Sequence, residues 1–199
     1  MIKIIGGFKL LILSLFLLAA CESRQTPMTY AEELKNHRDE IADFMNNADD
    51  SPFAEADSLI ELSYFPLNEK YKVIADIKRI KDGGELTIGT SDGRNRVYVK
   101  HAWLEFTLNQ QAHKLLVLKS QESDDLFLAF ADQTSDDTTY GGGRYLNLGF
   151  SDQSEKITLD FNKAYNPYCA YTANYSCPLP PMENYLNTAI ESGEKLYIY

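Results

Sequence analysis

R-V-Y-V-K-H-A-W-L-E-F-T-L, running from Arg96 to Leu108, is a long alternating stretch. Tyr98, Ala102, Leu104 and Phe106 fall mostly on one side of it, the spacing of a strand with one buried face. Two further strand candidates precede it, Tyr71 to Ile80 and Leu86 to Thr90, each followed by a turn signal: Lys81-Asp82-Gly83-Gly84 and Ser91-Asp92-Gly93. On the other side come Lys114 to Lys119 and Leu126 to Ala131, separated by the polar run Gln121 to Asp125. Tyr145 to Gly149, Lys156 to Phe161 and Lys195 to Tyr199 complete the set. Short strands joined by tight turns imply an antiparallel β-sandwich or a barrel-like domain. One N-terminal helix makes the class α+β and β-rich.

That helix begins at Thr29, where Thr29 and Glu32 have the spacing of a capping box. Tyr30, Leu34, Ile41, Phe44 and Met45 then fall along one face, which is expected to pack on the domain. The helix should end within Asn46 to Asp50, with Ser51-Pro52 opening a further turn.

Ahead of the helix the chain reads as a secretion signal. Lys3 and Lys9 precede the apolar run Leu10 to Leu18, which is too short to span a bilayer as a finished helix. Leu18-Ala19-Ala20-Cys21 matches a lipobox, in which the cysteine is lipidated and becomes the first residue. The expected organisation is a signal over residues 1–20, a tether over 21–28 and one β-rich domain over 29–199. Acyl chains at Cys21 would anchor the protein to a membrane of the cell envelope, facing periplasm or surface, since each buried methylene contributes about 0.8 kcal/mol. The full chain carries a net charge of −10. Removal of Lys3 and Lys9 leaves 17 basic residues against 29 acidic ones. Such a surface disfavours nucleic acid, and contact with lipid should come from the anchor alone.

Unusual residues concentrate between Thr139 and Asn184 and onward to the C-terminus. Nine of the thirteen tyrosines lie from Tyr140 to Tyr199, with Pro167, Pro178, Pro180 and Pro181. Cys169 and Cys177 are here as well. In an oxidising compartment a disulfide between them is expected, with free thiols or a metal site as the alternatives. On loop entropy the bridge would stabilise the fold by roughly 2.6 kcal/mol. The tyrosine rings suit stacking on sugars or aromatic ligands, although tyrosine also favours strands for packing reasons alone.

Several side chains are candidates for chemistry. Gly141-Gly142-Gly143 before Arg144 either aims backbone N–H groups at an anion or forms a plain turn, and no nucleotide-binding glycine motif follows. Arg144 either forks onto a carboxylate or phosphate of a ligand or pairs structurally with Asp132 or Asp160. Asp160 and Asn162 share a strand face; with Tyr165, Asn166, Glu183 and Asn184 they form either a polar ligand pocket or a network pinning an irregular loop. His37, His101 and His113 are scattered, no H-E-x-x-H or G-x-S-x-G occurs, and neither a metal nor a cofactor is expected.

T-Y-G-G-G-R-Y-L (Thr139 to Leu146), D-F-N-K-A-Y-N-P-Y-C-A-Y (Asp160 to Tyr171) and C-P-L-P-P-M-E-N (Cys177 to Asn184) resemble the signature blocks of the bacterial family called domain of unknown function 1684. The likeness runs from about Tyr30 to Lys195 and takes in Ser51-Pro52 and Leu62 to Phe65. Asp136 departs from it, standing where the family pattern D-x-T-S-G-x-x-T-Y has glycine. The resemblance implies an envelope or secreted protein, often a lipoprotein, and gathers the polar candidates, with Tyr140 added to them, into one site without supplying a reaction.

The leading expectation is therefore a lipoprotein that binds a small polar or anionic ligand or an envelope component, with Arg144 holding the anionic group. One alternative is a hydrolase in which Asp160 and Glu183 converge in a cleft within roughly 5–10 Å as an acid–base pair. The other is a structural or assembly protein whose polar blocks only stabilise loops.

Overall fold

The computed structural model describes residues 27–56, 58–123, 125–151 and 153–198. The signal, the lipobox and Cys21 lie outside them. Helix α1 (Tyr30–Asn47) starts at the expected box: the Thr29 hydroxyl accepts from Glu32 N, and Glu32 Oε2 accepts from Thr29 N at 2.8 Å. Of the apolar face, Leu34 and Met45 are buried. Ser51 then turns the chain, its hydroxyl donating to the Met45 carbonyl and accepting from Phe53 N.

Among the described residues eight strands follow: β1 (Lys72–Arg79), β2 (Glu85–Gly89), β3 (Asn95–Leu108), β4 (Gln111–Ser120), β5 (Leu126–Phe127), β6 (Ala129–Phe130), β7 (Arg144–Tyr145) and β8 (Lys156–Asp160). Six form one antiparallel sheet in the order β5-β4-β3-β1-β8, with β2 also paired to β3. A second, two-stranded sheet joins β6 to β7. The break at Leu128 divides one extended segment between the sheets: Phe127 pairs with Leu118 of β4, whereas Ala129 pairs with Tyr145 of β7. A bridge between Tyr145 and Tyr165 brings β7 beside the segment leaving β8. The sheet curls in this way without closing a barrel.

β3 is the spine, but its faces are not as the alternation implies. The register against β4 slips between Lys100 and Ala102. One extra residue there reverses the side to which later side chains point. Tyr98 consequently packs with Ile88, Leu116 and Leu118, on the face opposite Ala102, Leu104 and Phe106. The β1–β2 turn fits against this bulge. A Cβ on Gly83 would lie 1.8 Å from the Lys100 carbonyl oxygen, so only glycine permits that approach.

Leu115 to Leu118 are all fully buried, so β4 is covered on both faces. The larger core holds Leu104, Phe106, Leu115, Phe130 and Phe161 on one side. Met45 of α1 packs separately with Ala170 and Tyr171. The expected strand from Tyr145 to Gly149 is confined to Arg144–Tyr145. Lys195 to Ile198 form no strand at all; Lys195 N donates to the Ser63 carbonyl and Leu196 N to the Thr138 carbonyl, two different segments rather than one partner strand.

Candidate functional site

The polar candidates separate into a closed interior network and an open cleft under α1. Arg144 belongs to the network. Its side chain is 1% exposed, and one terminal nitrogen donates to Asp132 Oδ2 and to the Ile190 carbonyl, both at 2.9 Å. The other terminal nitrogen reaches the carbonyls of Ser192 and Glu194. Asp132 completes its own shell with Oδ1, which accepts from Thr134 and from Ile190 N at 3.1 Å. Burial pushes the guanidinium below its ordinary pKa, and the carboxylate opposes that shift. Of the two roles open to Arg144 in the sequence, the structural pair with Asp132 is the one its geometry allows: the side chain faces protein carbonyls, not an opening.

The Ile190–Glu194 segment reaches the interior because Gly193 takes φ +79° and lies against the Ala164 and Phe161 carbonyls, 2.7 Å from where a Cβ would stand. Glu194 is carried in beside it, 1% exposed. Its carboxylate accepts from Asn166 N and Nδ2, each at 3.0 Å, and from the Tyr171 hydroxyl. Burial pushes the Glu194 carboxyl up to about 7, against the pull of these donors and of Arg144. Nothing in E-S-G-E-K marks Glu194 as interior, and sequence reading passed it over. Its only local signal is the glycine before it.

Asn162 and Asn184 serve the backbone. Asn162 exchanges hydrogen bonds with both backbone groups of Asn68. Asn184 Oδ1 accepts from Leu116 N, and Nδ2 donates to the carbonyls of Leu116 and Ala129 at 2.9 and 2.8 Å. Its amide thus fills the gap between β4 and β6 where no strand runs. Tyr140 packs in the cluster around Met45 and Tyr171. Gly143 N donates back to the Tyr140 carbonyl, so the glycine run makes a turn into β7.

Asp160 is the candidate that lines the cleft. A cavity of about 340 Å³ lies between α1 and β8, with Glu33 and His37 from the helix, Lys72 from β1, Asp160 from β8 and Lys163 from the turn after it. Asp160 accepts from the Tyr30 hydroxyl through both oxygens, at 2.8 and 2.9 Å, and caps Asn162 N. Burial first, then Asp160, raises the Tyr30 phenol, which stays a donor. Lys163 pairs with Glu33 at 2.6 Å, both partly exposed. Burial and the nearby Lys163 charge lower the His37 pKa, so its imidazole is neutral at pH 7. Lys72 rests 3.8 Å from the Tyr30 ring centre and makes no ion pair among the described residues.

A second cavity of about 340 Å³ adjoins this one through His37 and Asn147, walled by Phe44, Tyr165 and Tyr168 and floored by Glu194. The Tyr165 hydroxyl donates to Asn147 at 2.8 Å. Glu183 is elsewhere, exposed on the 3₁₀ turn Met182–Asn184 that Asn184 fixes to β4 and β6. The structure does not bring it to Asp160: Glu183 does not line the cleft, and the carboxyl of Asp160 is taken by Tyr30 and Asn162. No cluster of three or more metal-ligating side chains occurs among the described residues. Cys169 and Cys177 are bridged.

A curled antiparallel sheet strapped by a capped helix, with a polar cleft beneath that helix, defines the class: a β-rich α+β domain. The chain belongs to the family described as protein of unknown function (DUF1684), whose model matches residues 58–195. The solution NMR structure of an uncharacterized protein of Haloarcula marismortui is similar at 38% identity, with a TM-score of 0.65. That likeness covers 83% of this chain and 94% of the archaeal one. No curated protein matches the chain.

Proposed function

We propose that this protein is a binding module that holds a small polar, anionic ligand in the cleft under α1, at the cell envelope, tethered through Cys21. The observation that carries the reading is Lys72, an ammonium that makes no ion pair among the described residues and lines a polar cavity. Lys72 takes the anion-holding part that the sequence offered to Arg144. Neutral His37 adds a donor and an acceptor for hydroxyls, and Asp160 fixes the wall by holding Tyr30. A hydroxylated acid, such as a sugar acid or sugar phosphate, meets these groups one for one.

The test is calorimetric titration of uronic acids and hexose phosphates into the parent protein and a Lys72→Ala variant. A charge-assisted contact of this kind predicts a loss of at least about tenfold in affinity. Binding that survives Lys72→Ala undiminished would remove the reading. Attachment is tested separately: Cys21→Ser should move the protein from the membrane fraction to the soluble one and end incorporation of labelled fatty acid.

A structural or assembly role is the second reading, favoured by the network around Arg144, which spends its polar groups internally. It becomes the better account if no anion in the panel binds.

A further inference from the structure

The tyrosines that the α1 cleft does not use point to a second site. Tyr145 of β7, Tyr165, Tyr168 and Tyr175 line one open cavity of about 270 Å³, together with Cys177 and Pro178. Tyr145 and Tyr165 meet edge to face with ring centres 5.9 Å apart, and Tyr168 and Tyr175 do the same at 5.0 Å. The 169–177 disulfide ties Tyr168 to Tyr175 across a short loop, so the rings are held in place before any ligand arrives.

Two of the four phenols here are already engaged. The Tyr145 hydroxyl donates to the Pro178 carbonyl at 2.6 Å and Tyr165 to Asn147. The Ser176 hydroxyl donates to Asp92 at 2.9 Å. What remains for a ligand is ring surface and the hydroxyls of Tyr168 and Tyr175. A sugar stacked on such rings would still need partners for its hydroxyls, and this cavity offers few. Among the described residues no lysine, arginine or histidine lines it; Arg96, from an exposed position, donates to the Ser176 carbonyl and its charge also acts on Tyr145. An anion therefore finds no charged partner on the cavity wall. A cation finds the rings of four tyrosines in a chain of net charge −10, while the Asp92 carboxylate behind Ser176 is already paired with Arg94.

We infer that the tyrosine cavity is a cage for an organic cation of the quaternary-ammonium class, a site separate from the α1 cleft. Its volume suits a trimethylammonium group rather than a peptide or an oligosaccharide. Recognition is by ring faces, so hydroxyl groups contribute little to it.

The experiment titrates the purified full chain by calorimetry with tetramethylammonium chloride, with choline, and with 3,3-dimethyl-1-butanol, the neutral isostere of choline. Saturable binding of both cations is expected, at least about fivefold tighter than that of the isostere, on the scale of a cation–π contact. Tyr175→Leu should weaken cation binding by about fivefold or more, while Tyr175→Phe, which keeps the ring, should stay within about twofold. Lys72→Ala, which disables the α1 cleft, should leave cation binding unchanged. Equal binding of the neutral isostere, absence of saturation, or equal damage from Phe and Leu would each overturn the cage. Loss of cation binding in Lys72→Ala would show one shared site and overturn the separate one.

Discussion

The Arg144 guanidinium and the Asp132 carboxylate meet 2.9 Å apart with 1% and 0% of their side chains exposed. Every other ion pair among the described residues is at least partly open to solvent. Removing one member of a buried pair leaves the other charge uncompensated. Arg144→Met and Asp132→Asn should each cost about 3–5 kcal/mol in urea unfolding, and the double variant less than their sum. Losses below about 1 kcal/mol would mean that Arg144 is not a structural keystone.

Glu194 makes stability depend on pH in a direction opposite to most carboxylates. Its folded-state value of about 7 lies above the ordinary 4.5, so the folded chain binds this proton more tightly than the unfolded one. The contribution is complete below about pH 4.5 and is lost as pH rises to about 7. Glu194→Gln removes that decline. From pH 5 to pH 8 the variant should gain on the parent by on the order of 2–3 kcal/mol. Parallel stability curves would show that Glu194 titrates normally.

Asn184 is exchangeable for nothing shorter or charged. Asn184→Ala strands Leu116 N and the carbonyls of Leu116 and Ala129, and should cost at least about 2 kcal/mol. Asn184→Asp should be no better, because a carboxylate cannot donate to two carbonyls. Its exposed neighbour Glu183 is the control: Glu183→Ala should shift stability by less than about 0.5 kcal/mol. Thermal unfolding of the three variants decides the matter.

Asp136 stands where the resemblance leads us to expect glycine, and the turn before Thr139 is present nonetheless. Asp136 adopts φ +67°, a left-handed conformation, with its N–H donating to the Thr139 carbonyl at 3.1 Å. An aspartate tolerates this region at some cost. Asp136→Gly should therefore raise stability by about 1 kcal/mol, while Asp136→Ala should lower it. A destabilised glycine variant would mean that the aspartate side chain contributes a contact of its own.

Where structure depends on neighbours in sequence, it was legible. Thr29 and Glu32 announced α1, turns fall at the signals containing Asp82 and Gly93, and Cys169 and Cys177 form the disulfide that was expected ahead of free thiols or a metal site. The bulge at Lys100 was not legible, because one inserted residue leaves the alternation on either side of it intact. Nor was the division of the polar blocks into network and cleft. The partners of Arg144 lie 12 residues before it at Asp132 and nearly 50 after it at Ile190 to Glu194. Only tertiary contact decides whether a charged side chain meets water, a ligand or a carbonyl. Lys72 read as an ordinary strand residue for the same reason.

The short segment from Ile190 to Glu194 closes the interior although it belongs to no strand of the sheet. It supplies three carbonyls to Arg144, one N–H to Asp132 and a carboxylate to Asn166 and Tyr171. A chain emerging in order from a ribosome or a translocation channel makes Arg144 almost fifty residues ahead of those partners. Until they emerge, the guanidinium cannot leave water, and the half-made domain has no finished interior to settle into. Folding is thereby timed to the emergence of Ile190 to Glu194, and the domain stays open until that segment is free to pack.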